Sequence, residues 1–184
     1  MGDLRLRTER LELIAGNLEL SNAELSDRKR FGKLLKARIL NWPPPLNDEG
    51  YVEFSRDYFT EKPDDNGWGV WYYVLCEGEE RTAIGNGGFK GKPSADGTVE
   101  IGYSILEEYQ RRGYASEVVR VLLAWAFGRP EVKRVIAETL PELIPSIRVL
   151  EKNGFRFVGR GLEEGVIRYE ILRKEFNKIQ LNKK

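Results

Sequence analysis

Histidine is absent from this chain, and cysteine occurs once. Catalysis by Ser-His-Asp or Cys-His arrangements is therefore excluded, as are His-containing zinc sites. With Cys76 alone there is no internal disulfide and no cysteine cluster, so no metal is expected. Proton transfer near neutral pH falls to carboxylates, Tyr, Lys, Ser, Cys76 or water. Strong charge of one sign is also missing: Lys plus Arg number 30 against 29 Asp plus Glu, a formal net charge of +1. A general nucleic-acid binder normally carries a strongly basic balance, so no nucleic-acid partner is expected. Long apolar runs are lacking too. The opening MGDLRLRTERLELIAG has no signal-peptide core, and no later stretch approaches a membrane span. The expectation is a cytoplasmic protein with no membrane partner.

What is present is enough for one domain over residues 1–184, with a substantial core in 21.2 kDa. RLRTERLELIA alternates leucines with charged residues and reads as a first strand with a bend. DRKRFGKLLKARI follows as a helix with Phe31, Leu34, Leu35 and Ile39 on one face. Its six basic residues between Arg28 and Arg38 form a solvated face or meet an acidic partner. Three prolines in NWPPPLNDEG make a stiff loop, and Asp48 caps a helix carrying Tyr51, Phe54, Tyr58 and Phe59. GWGVWYYVLCEGEERTAIGNGGFKG reads as two strands joined at Glu77 to Glu80, and VEIGYSI as a third.

After Ile105 the order changes. A helix from about Gly113 to Phe127 precedes the strand KRVIAETL, a helix over PSIRVLEKNGF, and strands near Phe155–Gly159 and Val166–Leu172. A meander followed by strand-helix-strand predicts an α/β fold of the α+β kind, with one mixed sheet and flanking helices.

QRRGYAS, where the long helix begins, is the segment with the clearest chemistry. The first turn of a helix leaves backbone N–H groups without intrahelical acceptors, and the helix dipole makes that end partly positive. A phosphate satisfies them if side chains leave room. Gly113 and Ala115 keep the turn open, and Arg111 and Arg112 add positive charge. A plain Gly-containing turn into a core helix is the other reading. GNGGFKGKP is not a P-loop, because five residues separate Gly85 from Gly91 and Pro93 occupies the Ser/Thr position. No Gly-x-Gly-x-x-Gly dinucleotide pattern follows a suitable strand.

EYQRRGYASEVVRVLLAWAF resembles the acyl-CoA-binding segment of the GNAT N-acetyltransferases, whose signature is Gln/Arg-x-x-Gly-x-Gly/Ala. Gln110, Gly113 and Ala115 match its fixed positions. SIRVLEKNGFRFVG resembles the family's second cofactor segment, and LRTERLEL and VEIGYSI are similar to the branch of ribosomal-protein N-terminal acetyltransferases. The resemblance covers most of the chain and is weakest from about Asp27 to Asn66. It implies a central, mostly antiparallel sheet whose strands Val99–Ile105 and Arg134–Leu140 splay apart to hold acetyl-CoA. The pyrophosphate would sit on the N–H groups from Arg111 to Ala115. Tyr103, Ser104, Ile105 and Leu106 would bond the pantetheine as an added strand. Gln110, Tyr114 and Ser116 complete the implied cofactor set.

Acetyl transfer needs a neutral amine. A lysine-like amine of pKa ~10.4 is unprotonated in about one molecule in ~2,500 at pH 7, a deficit of roughly 4–5 kcal/mol. A peptide α-amine near ~7.7–8.0 faces about 1–1.4 kcal/mol. Glu100, in the middle of VEIGYSI, is either a general base or the partner of a helix arginine. Glu138 resembles a catalytic glutamate of some family members, or is a strand-end residue. Ser146 resembles a serine that protonates the departing thiolate, or caps the Ile147 helix. Leu150 stands where many members have a tyrosine, Leu143 where many have Asn, and Pro145 replaces a small residue. Trp42 with its prolines, Trp68, Trp71 and Tyr103 are the candidates for an acceptor pocket.

The reading is an acetyl-CoA-dependent N-acetyltransferase acting on a primary amine, of a protein N-terminus or a small molecule, by direct attack in a ternary complex. A non-catalytic CoA sensor and a protein-interaction module on the same fold remain as alternatives. An edge strand near the C-terminus leaves a homodimer open.

Overall fold

The computed structural model describes residues 4–47 and 49–181. Two strands come first, β1 (Arg5–Arg7) and β2 (Leu11–Ala15), paired antiparallel with Leu6 opposite Leu13. The single bent strand expected here is therefore a hairpin. Thr8 Oγ accepts the Leu11 N–H at 2.9 Å, and the Thr8 N–H donates to the Leu11 carbonyl at 2.9 Å. A side chain closes this turn, which contains neither Gly nor Pro.

Helices α1 (Leu18–Ser26) and α2 (Arg28–Leu35) each start at a side-chain cap. Asn17 Oδ1 accepts from Leu20 N–H and Asp27 Oδ1 from Arg30 N–H, both at 2.9 Å. α2 buries Phe31 and Leu35, then stops at Lys36, whose left-handed backbone (φ 51°) ends the helix. Ile39 consequently leaves the helix face and lies in the short strand β3 (Arg38–Ile39). The proline loop leads to α3 (Glu49–Glu61), which carries Tyr51, Phe54, Tyr58 and Phe59. Its expected cap, Asp48, lies outside the described residues.

The meander follows as β4 (Val70–Glu77), β5 (Glu80–Phe89) and β6 (Thr98–Ile105). The second half contains α4 (Tyr114–Phe127), β7 (Arg134–Thr139), α5 (Ile144–Lys152), β8 (Arg156–Arg160) and β9 (Ile167–Leu172). A last helix, α6 (Arg173–Leu181), was not anticipated; its polar sequence hides the single buried Phe176. Among the described residues the sheet has nine strands in the order β1-β2-β4-β5-β6-β7-β9-β8, with β3 beside β5. Its pairs are antiparallel except β6–β7 and β3–β5. The mixed, mostly antiparallel sheet with flanking helices is thus the fold that is observed.

The strand period of two divides the core. Trp71, Tyr73 and Leu75 of β4 pack in one cluster with Val118 and Leu122 of α4. Val70, Tyr72 and Val74 pack in a second with Phe31, Leu35 and Phe59. Helices cover both faces, which explains why β4 is buried without alternation from Val70 to Leu75. No helix among the described residues is long and apolar enough to cross a membrane.

Candidate active site

β6 and β7 are partners for only three residues: Thr98 with Arg134, Val99 with Val135 and Glu100 with Ile136. Beyond that point β6 keeps only β5, through Phe89↔Ile101 to Gly85↔Ile105, and β7 keeps only β9. The sheet opens between them. The Glu100 carbonyl accepts Lys90 N–H at 3.0 Å, and Leu106 N–H donates to the Ile84 carbonyl at 2.8 Å. Even-numbered residues of β6 therefore turn their main chain toward β5, and Tyr103 and Ile105 turn theirs into the gap. At its end the Ile105 carbonyl takes the Gln110 side-chain amide at 2.9 Å. The Tyr103 main chain is left as the free edge on which an extended ligand adds as a strand.

Two helices begin at this gap, and neither N-terminus is capped by a side chain. Gly113 precedes α4 at φ 84°, ψ 0°, and Leu143 precedes α5. The contrast with the Asn17 and Asp27 caps is chemical at α4, whose first-turn N–H groups stay available to a ligand; at α5 those of Ile144, Ser146 and Ile147 are spent on the Glu142 and Leu143 carbonyls, and Pro145 has none. Gly113 is exposed, and its positive φ is one that an L side chain rarely adopts.

A cleft of about 1370 Å³ runs from the gap to α3. That volume exceeds an ordinary small-ligand pocket of ~300–1,000 Å³ and has room for a long ligand with a second molecule beside it. On the gap side it is lined by Tyr103, Ser104 and Ile105, by Gln110, Arg111 and Gly113, and by Tyr114, Ala115 and Ser116. Two residues expected there turn their side chains elsewhere. Leu106 is buried in the second core cluster, and Arg112 turns its guanidinium over the Tyr109 ring, 5.8 Å from the centroid.

The chemical candidates separate. Glu100 does not line the cleft; its carboxylate pairs with Lys90, just past the end of β5, rather than with a helix arginine. Glu138 does line it. Glu138 Oε1 accepts from Arg168 Nε at 2.8 Å, from Arg168 Nη2 at 2.5 Å and from Leu162 N–H at 3.1 Å. All its hydrogen bonds among the described residues fall on that oxygen. Ser146 lies within the first turn of α5, not at its cap. Its Oγ is 3.2 Å from the Tyr103 hydroxyl, which also donates to the Ser146 carbonyl at 3.1 Å. Burial raises the Tyr103 pKa to about 12, the Ser146 contact pulling the other way, so this phenol keeps its proton at neutral pH.

None of the three candidate tryptophans lines the cleft. Trp68 and Trp71 pack edge-on against Trp125 of α4, with centroids 4.8 and 5.5 Å apart. Trp42 is buried beside Phe31 and donates its indole N–H to Glu24 at 2.8 Å. The far wall is instead made of Tyr51, Phe54, Tyr58 and Phe59, with Leu46 and Asn47 from the proline loop. Sequence reasoning placed those aromatics on one helix but not at the site; that Phe54 faces outward follows only from the packing of the helix. The loop is fastened to the sheet: Ser104 Oγ donates to the Pro45 carbonyl at 2.6 Å, and Asn47 bonds Asn86.

The profile described as the acetyltransferase (GNAT) domain matches residues 17–156. The chain belongs to the GNAT family of acetyltransferases, enzymes that use acetyl-CoA. The uncharacterized N-acetyltransferase YjdG of Bacillus subtilis is 28% identical over 151 residues, covering 82% of this chain and 88% of that protein. The ribosomal-protein-S5-alanine acetyltransferase of Vibrio fischeri superposes with a TM-score of 0.64 at 17% identity, over 95% of this chain and 99% of that one. The RimL ribosomal L7/L12 alpha-N-protein acetyltransferase, solved with coenzyme A, gives 0.61 at 19% identity, over 92% and 98%. At these identities the two structures speak for the fold.

Proposed function

We propose that this enzyme transfers acetyl from acetyl-CoA to a primary amine by direct attack, with both substrates in the cleft together. The carrying observation is one continuous cleft: a main-chain edge and the uncapped N-terminus of α4 at one end, an aromatic wall at the other. Acetyl-CoA, when bound, supplies an activated thioester. The Tyr103 main chain holds its pantetheine, and the N–H groups of Arg111 to Ala115 hold its pyrophosphate. Cys76 lines no part of the cleft and packs beside Arg81, whose Nη1 lies 3.3 Å from Sγ, so no acyl-enzyme is invoked.

Of the two carboxylates, Glu138 is taken as proton acceptor because it borders the cleft. Arg168 and Leu162 occupy Oε1, and Oε2 receives the amine proton, directly or through water. The Tyr103–Ser146 hydroxyl pair holds the proton that goes to the departing sulfur. Both groups sit where β6 faces α5 across the gap. The acceptor amine belongs to a protein N-terminus or a small molecule. The names of the structural relatives favour a protein.

Calorimetric titration of acetyl-CoA into the wild type and Gly113→Glu tests the cradle, and thiol release with a panel of amines tests turnover. Micromolar binding lost in the variant, with amine-dependent thiol release, is expected. Binding without release for any amine would leave a CoA sensor; no binding by folded wild type would remove the reading. Ser146→Ala and Tyr103→Phe should each lower kcat by about 10- to 100-fold while binding acetyl-CoA normally.

A further inference from the structure

The Thr8–Leu11 turn, which joins β1 to β2, docks on the first turn of α4 through one carboxylate. Glu117 accepts from Arg10 Nε at 2.8 Å, from Arg10 Nη2 at 2.6 Å, from the Arg10 main-chain N–H at 3.2 Å and from the Thr8 hydroxyl. The remaining Arg10 nitrogen, Nη1, donates to the Arg112 carbonyl at 3.0 Å. The guanidinium also lies over the Tyr114 ring, 4.4 Å from its centroid. Arg10 thus grips the loop just before Gly113 and the helix just after it, while standing outside the cleft wall.

We infer that Arg10 is a positioning residue for the pyrophosphate cradle, an inference that rests on the acetyl-CoA reading above. Two physical effects support it. A trans peptide sends its C=O and the following N–H in opposite directions. Anchoring the Arg112 carbonyl on Arg10 therefore turns the Gly113 N–H away from Arg10. The second effect is charge. Glu117 suits the positive end of the helix dipole, but its carboxylate opposes any anion bound there. Fork-like contact with Arg10 neutralises it and leaves Arg111 to set the sign at the cleft. Each side-chain nitrogen of Arg10 is turned to Glu117 or to the Arg112 carbonyl, so it acts through the loop and through Glu117.

The test uses Arg10→Met, Arg10→Lys, Glu117→Gln and the double variant Arg10→Met/Glu117→Gln. Coenzyme A affinity is measured by calorimetry, and KM is compared for acetyl-CoA and for S-acetylpantetheine, which lacks the pyrophosphate. Arg10→Met should weaken coenzyme A binding about tenfold or more, and the double variant should recover part of that loss. Arg10→Lys, which keeps the charge without the fork, should lose only several-fold, and it carries the test if Arg10→Met does not fold. KM for S-acetylpantetheine should stay within about twofold throughout, since that substrate never meets the cradle. Equal weakening of both substrates would reduce Arg10 to a fold contact. Unchanged affinity in folded Arg10 variants would overturn the inference alone; wild type that binds no coenzyme A would overturn the cofactor reading with it.

Discussion

The two ends of the cleft are made of different material. At the gap, the surface offered to a ligand is main chain: one edge of β6 and the first turn of α4. At α3 the surface is side chain, with Tyr51, Phe54 and Tyr58 facing Leu46 and Asn47. Main-chain surfaces depend on geometry, tolerate most side chains nearby, and fail where a Cβ intrudes. A side-chain wall depends on identity and is free to vary while the sheet stays the same. On the proposed reading, the end given to acetyl-CoA is built from what sequence change alters least, and the end given to the acceptor from what it alters most.

The largest effect should come where the two ends share a floor. A Cβ at Gly87 would stand 2.4 Å from the Gly102 carbonyl oxygen and 2.5 Å from Tyr103 Cα, at φ 145°. Both neighbours are main chain, so neither has a flexible end to move. Gly87→Ala should cost about 3 kcal/mol or more, read from urea unfolding with an unchanged m-value. A loss below about 1 kcal/mol would mean that β5 and β6 separate easily, and the idea of a rigid main-chain floor would fail.

A smaller effect, confined to one end, is expected at Phe54. This side chain lines the cleft with 57% of its surface exposed. Phe54→Ala should change stability by no more than about 0.5 kcal/mol. It should raise KM for the acceptor several-fold and leave KM for acetyl-CoA unaltered. A matching rise for both substrates would show that the ends are not independent.

The same division decides what could be read in advance. The gap end is encoded locally: Gln110, Gly113 and Ala115 lie within six residues, and the open helix start at Gly113 could be read from that short window. The succession of strands and helices from Val70 to Leu172 was likewise legible from alternation and turn residues. The aromatic wall brings together residues from about 45 to 90, and which aromatic faces outward depends on packing that no short window contains. Trp68 and Trp71 went inward because Trp125, far along the chain, packs edge-on against both and stacks on Phe89. Glu100 gained Lys90 across a hairpin whose register had to be known first. The β1–β2 hairpin was missed because a threonine, not a glycine, closes it.

The subtlest contrast lies in two carboxylates, one under each end. Glu24 accepts from Trp42 Nε1 at 2.8 Å and from the Tyr72 hydroxyl at 2.6 Å, beneath the proline loop. Burial raises its pKa, and these two hydrogen bonds only partly oppose that. Glu117 has the reverse balance: burial pushes its pKa up, but hydrogen bonds from Thr8 and Arg10 bring it below the usual carboxylate value. The linkage signs are therefore opposite. The contribution tied to Glu24 is complete below the unfolded-state pKa and fades as pH rises through the higher folded value. That of Glu117 is complete above the unfolded-state pKa and fades as pH falls through the lower folded value. Urea unfolding of the wild type, Glu24→Gln and Glu117→Gln across the acid range should show it. The wild-type advantage over Glu117→Gln should shrink on acidification, and that over Glu24→Gln should grow. Parallel curves for the two variants would mean that Arg10 does not hold Glu117 charged, which would remove the electrostatic distinction between the two ends.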